Sequence, residues 1–534
     1  MPRVPERRAG GLLPALVLLM VACGPTAVVS PSAVPSPSPT PTASPTPTAS
    51  PSPTPVPPTR FPLAVVTGFT NLRSWVTTAQ LVAAVGKGTL LIPCEVTVVS
   101  PGALANAVPH MSCVPVNSVA GRLDAKPTTL ALLPPGLVEV KTKVLPVDPT
   151  GPYSLGGADL FGDASARAKA YPVQGQARTL PAWTASDQST IWTLVSLGDS
   201  CPDRGVALQA ITNRRGWGWV MGGGTARYLR VYPNPVPINQ VGGGYNIVSA
   251  VASGHAGALA RLTSGADITI DDFECPVVDN WRVNDGVVFS IDPAVLPKLR
   301  DVLGVDVAYM AANHMTDQGI AGLRSTLQKF DAAKIKRVGA GMTLNEALRP
   351  AIVEVAGVKL AFVAFNDVPG VLRATASSPG VAWITPANVT AAVQRAKTAG
   401  ADLVFCDPQW WGGAEYHAQL IGDQVAQQEM FYDAGCDHVL GAGTHWTGPL
   451  QLRRAGGAVH LTMASQGNFL FGQSWSQQTQ EGVIVELAFR GTDLVQVRFH
   501  PYIMLLQAQA NLIDPATDGH YVLNRLFRNS KTSY

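Results

Sequence analysis

Short apolar runs that each stop at a cluster of polar residues recur along the second half of the chain. Five of them have the length of a β-strand: IWTLVSLGDS, GADITIDDFECP, GVDVAYMAANH, VKLAFVAFND and GADLVFCDPQWWGG. Helical stretches lie between several of them, at 319–334 and 419–433 for example. This alternation predicts an α/β fold in which central sheets are flanked by helices. Ligands in such folds collect beyond the carboxyl ends of strands, so the polar clusters mark the expected site.

Length and charge limit the kinds of protein that this chain can be. Its 534 residues are too many for one ordinary domain. Only 14% of the residues are charged and the formal net charge is +3. Because nucleic-acid binding usually needs a strong basic patch, we expect no nucleic acid as the main partner.

The first 23 residues have the pattern of a bacterial export signal. Three arginines precede an apolar run at 12–20, which is shorter than the ~20 residues that a membrane span needs. Small residues before Cys23 are typical of a lipoprotein signal, in which the cysteine is lipidated. The alternative is an ordinary signal peptide with an incidental cysteine. We expect an exported lipoprotein that is anchored to the membrane on its extracytoplasmic side.

Composition divides the rest of the chain into four parts. Residues 24–60 are almost wholly Pro, Ser, Thr, Ala and Val, which predicts a disordered stalk. Residues 61–185 predict a small α/β module of unknown function, with a helix capped by Thr77. Residues 191–505 predict the main α/β domain, and residues 506–534 a C-terminal tail.

Six cysteines follow Cys23, an even count that is compatible with disulfides in an exported protein. Six cysteines allow 15 pairings, and six free thiols are the alternative. The pairings that we predict are Cys94–Cys113, Cys201–Cys275 and Cys406–Cys436.

Residues that can hold a divalent cation stand at successive strand ends. They are Asp199, Glu274, Asn313, Gln409 and His445. Carboxylate, amide and imidazole groups together suit a hard-to-borderline divalent cation. Each residue alone has a plainer interpretation, since Gly-Asp is often a turn and a strand-end Asn often caps a loop. Their recurrence at one strand end after another favours a metal site.

The order of the motifs resembles the CapA family of capsule (poly-γ-glutamate) biosynthesis proteins. The motifs are Gly-Asp…Arg at 198–204, Glu-x-Pro at 274–276, Asn-His-x-x-Asp-x-Gly at 313–319, Trp-Gly…Glu-Tyr at 411–416, Gly-x-x-x-His at 441–445 and Gly-Asn-Phe at 467–469. The resemblance covers residues 191–502. It implies a layered α/β sandwich of the kind found in calcineurin-like metallophosphoesterases.

The resemblance implies a role for several of these residues. Asp199, Glu274, Asn313 and His445 would be metal ligands. His314 would face the reacting bond as an acid or an electrostatic clamp. We assign Asp317 to the catalytic group because it would orient His314, and capping of the next helix is the alternative.

The substrate side of the site is predicted from side-chain chemistry. The planar guanidinium of Arg204 suits a phosphate or carboxylate group. Trp410, Trp411 and Trp446 are predicted to hold a polymer, and packing in the core is the commoner alternative for tryptophan.

Two positions depart from the family pattern. The family commonly has His-Trp-Gly-x-Glu-Tyr, and here Trp410 stands in place of that His, one residue after Gln409. It also has Gly-x-His-Pro-His, and here Gly443 replaces the first His. With two imidazoles missing, we expect one oxygen-rich site for Mg²⁺, Mn²⁺ or Ca²⁺ rather than a dinuclear or tight Zn²⁺ site.

Two hypotheses about function stay open. The first is a metal-dependent hydrolase or transferase that acts outside the cell on a phosphoester or amide bond of an anionic polymer. The second is a catalytically degenerate protein that binds the polymer as part of its export or anchoring machinery. The missing imidazoles favour the second, and the retained ligands favour the first. Both predict a role in capsule or surface-polymer biosynthesis.

Overall fold

The structure, a computed structural model, describes residues 59–107, 113–149, 156–177, 188–231, 247–252, 256–283 and 286–532. The predicted signal peptide, Cys23 and the stalk up to residue 58 lie outside the described residues. A strand takes in Thr59 and Arg60, which the sequence assigned to the stalk. Among the described residues, no helix is both long enough and apolar enough to cross a membrane.

Thirteen α-helices lie in the described residues. They are α1 (Thr78–Gly86), α2 (Gly102–Ala107), α3 (Val119–Ala125), α4 (Ala164–Arg167), α5 (Arg204–Ala207), α6 (Trp217–Gly222), α7 (Ala258–Gly265), α8 (Val295–Asp301), α9 (Gly319–Ala333), α10 (Leu344–Ala347), α11 (Pro386–Thr398), α12 (Gln424–Ala434) and α13 (His520–Asn529).

Twenty-five strands lie in the same described ranges. They are β1 (Thr59–Pro62), β2 (Ala64–Gly68), β3 (Leu90–Leu91), β4 (Thr97–Ser100), β5 (Leu130–Leu133), β6 (Thr142–Val144), β7 (Gln174–Ala177), β8 (Ile191–Cys201), β9 (Arg227–Val231), β10 (Ile247–Ala252), β11 (Ile268–Phe273), β12 (Val307–Tyr309), β13 (Lys336–Val338), β14 (Ala340–Gly341), β15 (Ala351–Val355), β16 (Val358–Asn366), β17 (Gly380–Val381), β18 (Leu403–Gln409), β19 (His438–Leu440), β20 (Leu450–Ala455), β21 (Ala458–Met463), β22 (Asn468–Phe471), β23 (Glu481–Arg490), β24 (Asp493–Leu505) and β25 (Gln509–Leu512).

The first module contains two small sheets, ordered β3-β5-β2-β6 and β1-β7-β4. Their buried side chains form one hydrophobic core, which also takes in Ile191, Ala488 and Val495 from beyond the module. Thr77 caps α1, as the sequence predicts, and its hydroxyl accepts a hydrogen bond from the backbone N–H of Gln80. Val56–Tyr534 form one compact unit, and the division into two domains stays a prediction.

Two larger sheets form most of the remaining described part of the chain, beside the two-stranded sheets β10-β9 and β14-β17. The first has the order β13-β12-β11-β8-β23-β24-β25, with β22 also paired to β8, and we call it the first sheet. The second sheet has the order β15-β16-β18-β19-β21-β20. Aromatic side chains pack between them, for example Phe405 against Phe489 with ring centroids 6.0 Å apart. The α/β class and the layered arrangement predicted from the sequence are confirmed.

Alternation along the strands of the second sheet shows which face each side chain occupies. Along β16, Leu360 and Phe362 lie in the core between the sheets. Ala361 and Val363 lie in a separate core under α11 and α12. The same period along β18 places Phe405 between the sheets. Asp407 and Gln409 follow at intervals of two residues, so they share the inner face with Phe405.

The C-terminal segment differs from its prediction as a tail. Strand β25 pairs with β24, and α13 buries Val522, Leu523 and Leu526. The three predicted disulfides are confirmed, with Cα atoms 4.9, 5.4 and 6.0 Å apart in Cys94–Cys113, Cys201–Cys275 and Cys406–Cys436.

Candidate metal centre

Parallel strands bring the predicted ligands to one edge of the sandwich. Strand β8 pairs in parallel with β11, with Asp199 opposite Asp272, and with β22, where Asn468 lies opposite Asp199. In the second sheet, β18 runs parallel to β16 and ends at Gln409. Because the carboxyl ends of parallel strands meet at the same edge, side chains distant in sequence converge there.

Asp199, Glu274 and His445 form a buried triad. One ligand atom from each lies within 4.8 Å of those of the other two. The three side chains are 0%, 0% and 5% exposed. Neither carboxylate oxygen of Glu274 has a hydrogen-bond partner of good geometry among the described residues, although the nearby amide of Gln409 favours its charged form. Since an unpaired buried carboxylate is costly, this arrangement fits a divalent cation that the three side chains would share.

His445 is fixed by a short network of polar contacts. Its Nδ1 lies 2.8 Å from Oδ1 of Asn468 and 3.0 Å from Oδ2 of Asp199. Nδ2 of Asn468 donates to Oε1 of Gln473 at 3.0 Å. Burial alone would lower the pKa of His445, but the contact with Asp199 and the charges of Glu274 and Glu415 together outweigh it and raise that pKa to about 9. Electrostatically, the site therefore favours a positive charge at this position.

Further buried carboxylates surround the triad. Asp272 and Asp407 are 3% and 4% exposed. Burial and the neighbouring carboxylates raise the pKa of both well above the usual value. Burial and the charge of Asp199 raise the pKa of Glu274 to about 8. The cluster therefore needs either protons or a cation to offset its repulsion. Asp407 was not predicted to belong to the site. Its position two residues before Gln409 on β18 was a signal, because residues two apart on a strand lie on the same face.

Gln409 occupies the space that a larger residue at position 443 would need. A Cβ on Gly443 would lie 3.0–3.2 Å from three atoms of the Gln409 amide. Nε2 of Gln409 donates to Oδ1 of Asn313 at 3.4 Å, so the structure brings these two predicted ligands together. Oε1 of Gln409 is buried and has no hydrogen-bond partner in the described part of the chain.

His314 is held in place by Asp317. Nδ1 of His314 lies 3.0 Å from Oδ2 of Asp317, and the same oxygen accepts a hydrogen bond from the backbone N–H of Phe289 at 2.8 Å. The N-cap of α9 is Gln318, and it has no side-chain cap. The geometry therefore corresponds to the orienting role of Asp317, not to helix capping.

Arg204 lies beside this pair. Its guanidinium carbon is 4.6 Å from the centroid of the Phe289 ring. The ring of Phe289 in turn meets the ring of His314 at 4.6 Å. Nε of Arg204 donates to the carbonyl oxygen of Gly286 at 2.7 Å. Arg204 and His314 thus contact different parts of one aromatic ring.

The three tryptophans predicted to hold a polymer differ in exposure. Trp410 is fully buried and its Nε1 donates to the carbonyl oxygen of Ala464 at 2.9 Å. Trp446 is also fully buried. A ring without exposed area cannot contact a polymer, so the structure corrects the expectation for Trp410 and Trp446. Trp411 is partly exposed, and its contact with a polymer stays a proposal.

Two aromatic residues near the triad were not predicted. The ring of Tyr416 stacks on His445 with centroids 5.5 Å apart. Trp475 meets Tyr416 edge-on at 5.9 Å and is 43% exposed. The Glu-Tyr pair in the 411–416 motif was the sequence signal for Tyr416, whereas nothing in the sequence around Trp475 marked it.

Fold and site together define a class of protein: an α/β sandwich with a buried acidic cluster that is suited to a divalent cation. The family model for "Bacterial capsule synthesis protein PGA_cap" matches residues 193–473. That match covers more than half of the 534 residues, so the chain belongs to this family.

Curated relatives carry related names. The chain is 31% identical over 250 residues to capsule biosynthesis protein CapA of Bacillus anthracis. This match covers 45% of this chain and 59% of the relative. It is 29% identical over 225 residues to PGA biosynthesis protein CapA of Bacillus subtilis, and this match covers 41% of this chain and 57% of the relative. The chain thus spans less than two thirds of the length of either relative.

Solved structures with some similarity include a 5′-nucleotidase precursor from Thermus thermophilus. The match has a TM-score of 0.32 and 13% identity, and covers 63% of this chain and 58% of that one.

Proposed function

We propose that this protein acts in the synthesis, export or anchoring of a poly-γ-glutamate-type surface polymer. It would do so through a metal-dependent site that hydrolyses or transfers a phosphoester or amide bond. The observation that carries the proposal is the convergence of Asp199, Glu274 and His445 within 4.8 Å. Membership of a capsule synthesis family and the names of the curated relatives support the polymer as the context.

The donor set favours one hard cation. Asp199, Glu274 and His445 would hold it, with Asn313 and Gln409 beside them. Two carboxylates and one imidazole suit Mg²⁺, Mn²⁺ or Ca²⁺ better than Zn²⁺. Gln409 lies against Gly443, where the family pattern has an imidazole, and this supports one cation rather than two. When bound, such a cation polarises the bond under attack and lowers the pKa of a nearby water.

Residues around the cation site would act on the substrate directly. With Nδ1 of His314 bound to Asp317, Nε2 is the ring nitrogen that can exchange a proton with a leaving group or hold its negative charge. Asp317 is then a positioning residue, because it contacts His314 and not the substrate. Arg204, which also packs on Phe289, would bind a carboxylate or phosphate of the polymer.

The second candidate function is polymer binding without turnover. The observation that favours it is that Trp410 and Gly443 stand at the positions of two imidazoles of the family pattern. In this case the protein would keep its cleft and its cation, and it would bind the polymer or its assembly machinery without cleaving a bond.

Metal analysis and hydrolysis assays test the proposal together. Protein purified without chelator should contain one divalent ion per chain. Glu274→Gln should weaken its binding at least about tenfold, because one charged ligand is lost. Glu354→Gln, on the exposed side of β15, is the matched control and should change nothing.

His314→Ala separates the two candidate functions. In an enzyme it should leave the metal content unchanged and lower turnover of a phosphodiester or γ-glutamyl substrate about 100-fold or more. A protein that binds metal and polymer but shows no turnover in the wild type supports the second candidate. A wild-type protein that binds no divalent ion contradicts the metal site itself.

We also propose that Cys23 carries a lipid anchor that holds the protein at the extracytoplasmic face of the membrane. A single acyl chain binds only marginally, so stable anchoring needs more than one chain. Cys23→Ser should move the protein from the membrane fraction to the soluble extracytoplasmic fraction. Unchanged membrane retention would argue against lipidation.

A further inference from the structure

Tyr416 packs on His445 of the buried triad and Trp475 packs on Tyr416. Arg204 is connected to the same histidine through the rings of Phe289 and Phe471. We call Arg204, Tyr416 and Trp475 the aromatic rim. Tyr416 links the rim to the triad, since its ring stacks on His445 at 5.5 Å with 29° between the ring planes. Trp475 meets Tyr416 at 82° and is 43% exposed. A large apolar side chain is therefore open to solvent one ring away from a proposed ligand of the cation.

Backbone strain is concentrated at this place. Arg204, Tyr416 and His445 have φ angles of 47°, 60° and 59°. These angles lie in the left-handed region, which is uncommon for residues other than glycine and rare for bulky ones. Residues held in this region are strained, and they cluster at functional sites. The backbone N–H of Tyr416 donates to the carbonyl oxygen of Thr444 at 3.0 Å, which holds the strained turn.

Arg204 has capacity for a further ligand. Its Nε is engaged by Gly286 and its plane lies over Phe289. Among the described residues, its two terminal nitrogens have no hydrogen-bond acceptor. The fork of these nitrogens matches the two oxygens of a carboxylate or phosphate.

We propose that the aromatic rim binds an extended chain whose units carry carboxylates separated by methylene groups. Arg204 binds one carboxylate, and the rings of Tyr416 and Trp475 cover the aliphatic stretch beside it. A single small anion satisfies Arg204 alone and leaves the ring faces uncovered, so the rim distinguishes a polymer from a free acid. This inference rests on the proposed function, because it names the part of the polymer that the same site recognises.

Titration calorimetry on the full metal-loaded chain tests the rim. The probes are a γ-linked glutamate hexamer, free glutamate and inorganic phosphate. The wild type should bind the hexamer more tightly than glutamate. Trp475→Ala should weaken hexamer binding about tenfold, because a central aromatic contact is lost, and should leave phosphate binding unchanged. Arg204→Gln should weaken binding of all three probes.

Tyr416→Asn removes the ring while keeping a residue that tolerates the left-handed backbone, and it should also weaken hexamer binding selectively. Tyr521→Ala is the control, because Tyr521 is 39% exposed on α13 and packs against His520. If Trp475→Ala and Tyr416→Asn both bind the hexamer as the wild type does, the rim inference is overturned and the proposed function stands. If the wild type holds metal but binds no hexamer, the polymer part of the proposed function fails as well.

Discussion

At the scale of single residues, Gln409 lies against Gly443 at the edge of the candidate site. Gly443 has a φ of +92°, and any side chain there would press on the Gln409 amide. The two residues are thus adapted to each other, and a change at one of them affects the other.

Gly443→Ala should therefore destabilise the protein. The left-handed backbone costs about 1–3 kcal/mol for a residue with a Cβ, and the contact with Gln409 adds to it. Gly456→Ala is a matched control, because Gly456 has a φ of +58° and no atom within 4 Å of its added Cβ. Denaturant unfolding should show a larger loss at 443 than at 456, and equal losses would mean that Gln409 moves aside freely.

The sequence predicted most residues of the site but not their surroundings. Asp199, Glu274 and His445 stand at strand ends in recognisable motifs, so their convergence follows from the parallel strands. The burial of Trp410 could not be predicted, since the same residue type serves at cores and at surfaces. Trp475 was missed because it reaches the site only through Tyr416, a contact without a local sequence pattern.

At the scale of elements, a disulfide ties together the two strands that carry the carboxylate ligands. Cys201 ends β8, two residues after Asp199, and Cys275 directly follows Glu274. The bridge therefore links the tips of β8 and β11, which are already paired in the sheet, close to Asp199 and Glu274.

Replacing both Cys201 and Cys275 with alanine should lower stability by about 2–5 kcal/mol. It should also weaken metal binding, because the strand tips gain freedom. The pair Cys94 and Cys113 in the first module is the control. Replacing Cys94 and Cys113 with alanine should lower stability but leave the affinity for Mn²⁺ unchanged, and calorimetry measures that affinity. Equal metal affinity in both double variants would show that the Cys201–Cys275 disulfide is not needed to position Asp199 and Glu274.

The strands with apolar runs were predictable, and the C-terminal elements were less so. The apolar Val522, Leu523 and Leu526 of α13 gave a helical signal in a segment that we assigned to a tail. Strand β25 had no such signal, because Gln509 and Asn511 are polar. Both are nonetheless buried, and their oxygens accept backbone hydrogen bonds from residues 224–226. Such long-range pairing leaves no trace in the local sequence.

At the scale of the whole molecule, the first module packs on β24 through buried polar groups. Arg498 pairs with Asp159 at 2.6 Å and donates to the carbonyl oxygen of Val144 at 2.9 Å. Lys143 lies in the same region and donates to the carbonyl oxygen of Asn71. Burial, together with the charge of Arg498, lowers the pKa of Lys143 from 10.5 to about 7.

This lowered pKa predicts a dependence of stability on pH. Between pH 7 and 10.5 the unfolded chain binds the proton of Lys143 more tightly than the folded chain does. The contribution of Lys143 to the free energy of unfolding therefore rises with pH in that window. Lys143→Met should be more stable than the wild type at pH 7, and the difference should shrink towards about pH 9.5. A difference that stays constant over this range would contradict the lowered pKa.

The sequence indicated the order of parts along the chain but not how the first module meets the sheet. Gln496 and Arg498 lie on β24, and no motif in the sequence marks either residue. Their contacts with Val144 join residues more than 350 positions apart, and no periodic signal reports contacts at that separation.

The most direct test of the metal site is anomalous diffraction from crystals soaked in Mn²⁺. The proposed metal site predicts one strong anomalous peak at roughly 2.0–2.6 Å from oxygens of Asp199 and Glu274, with His445 as the third ligand. Crystals of Glu274→Gln should lose that peak or show it much weakened. A wild-type crystal with no peak at these three residues, or with its peak elsewhere, would rule out the proposed site.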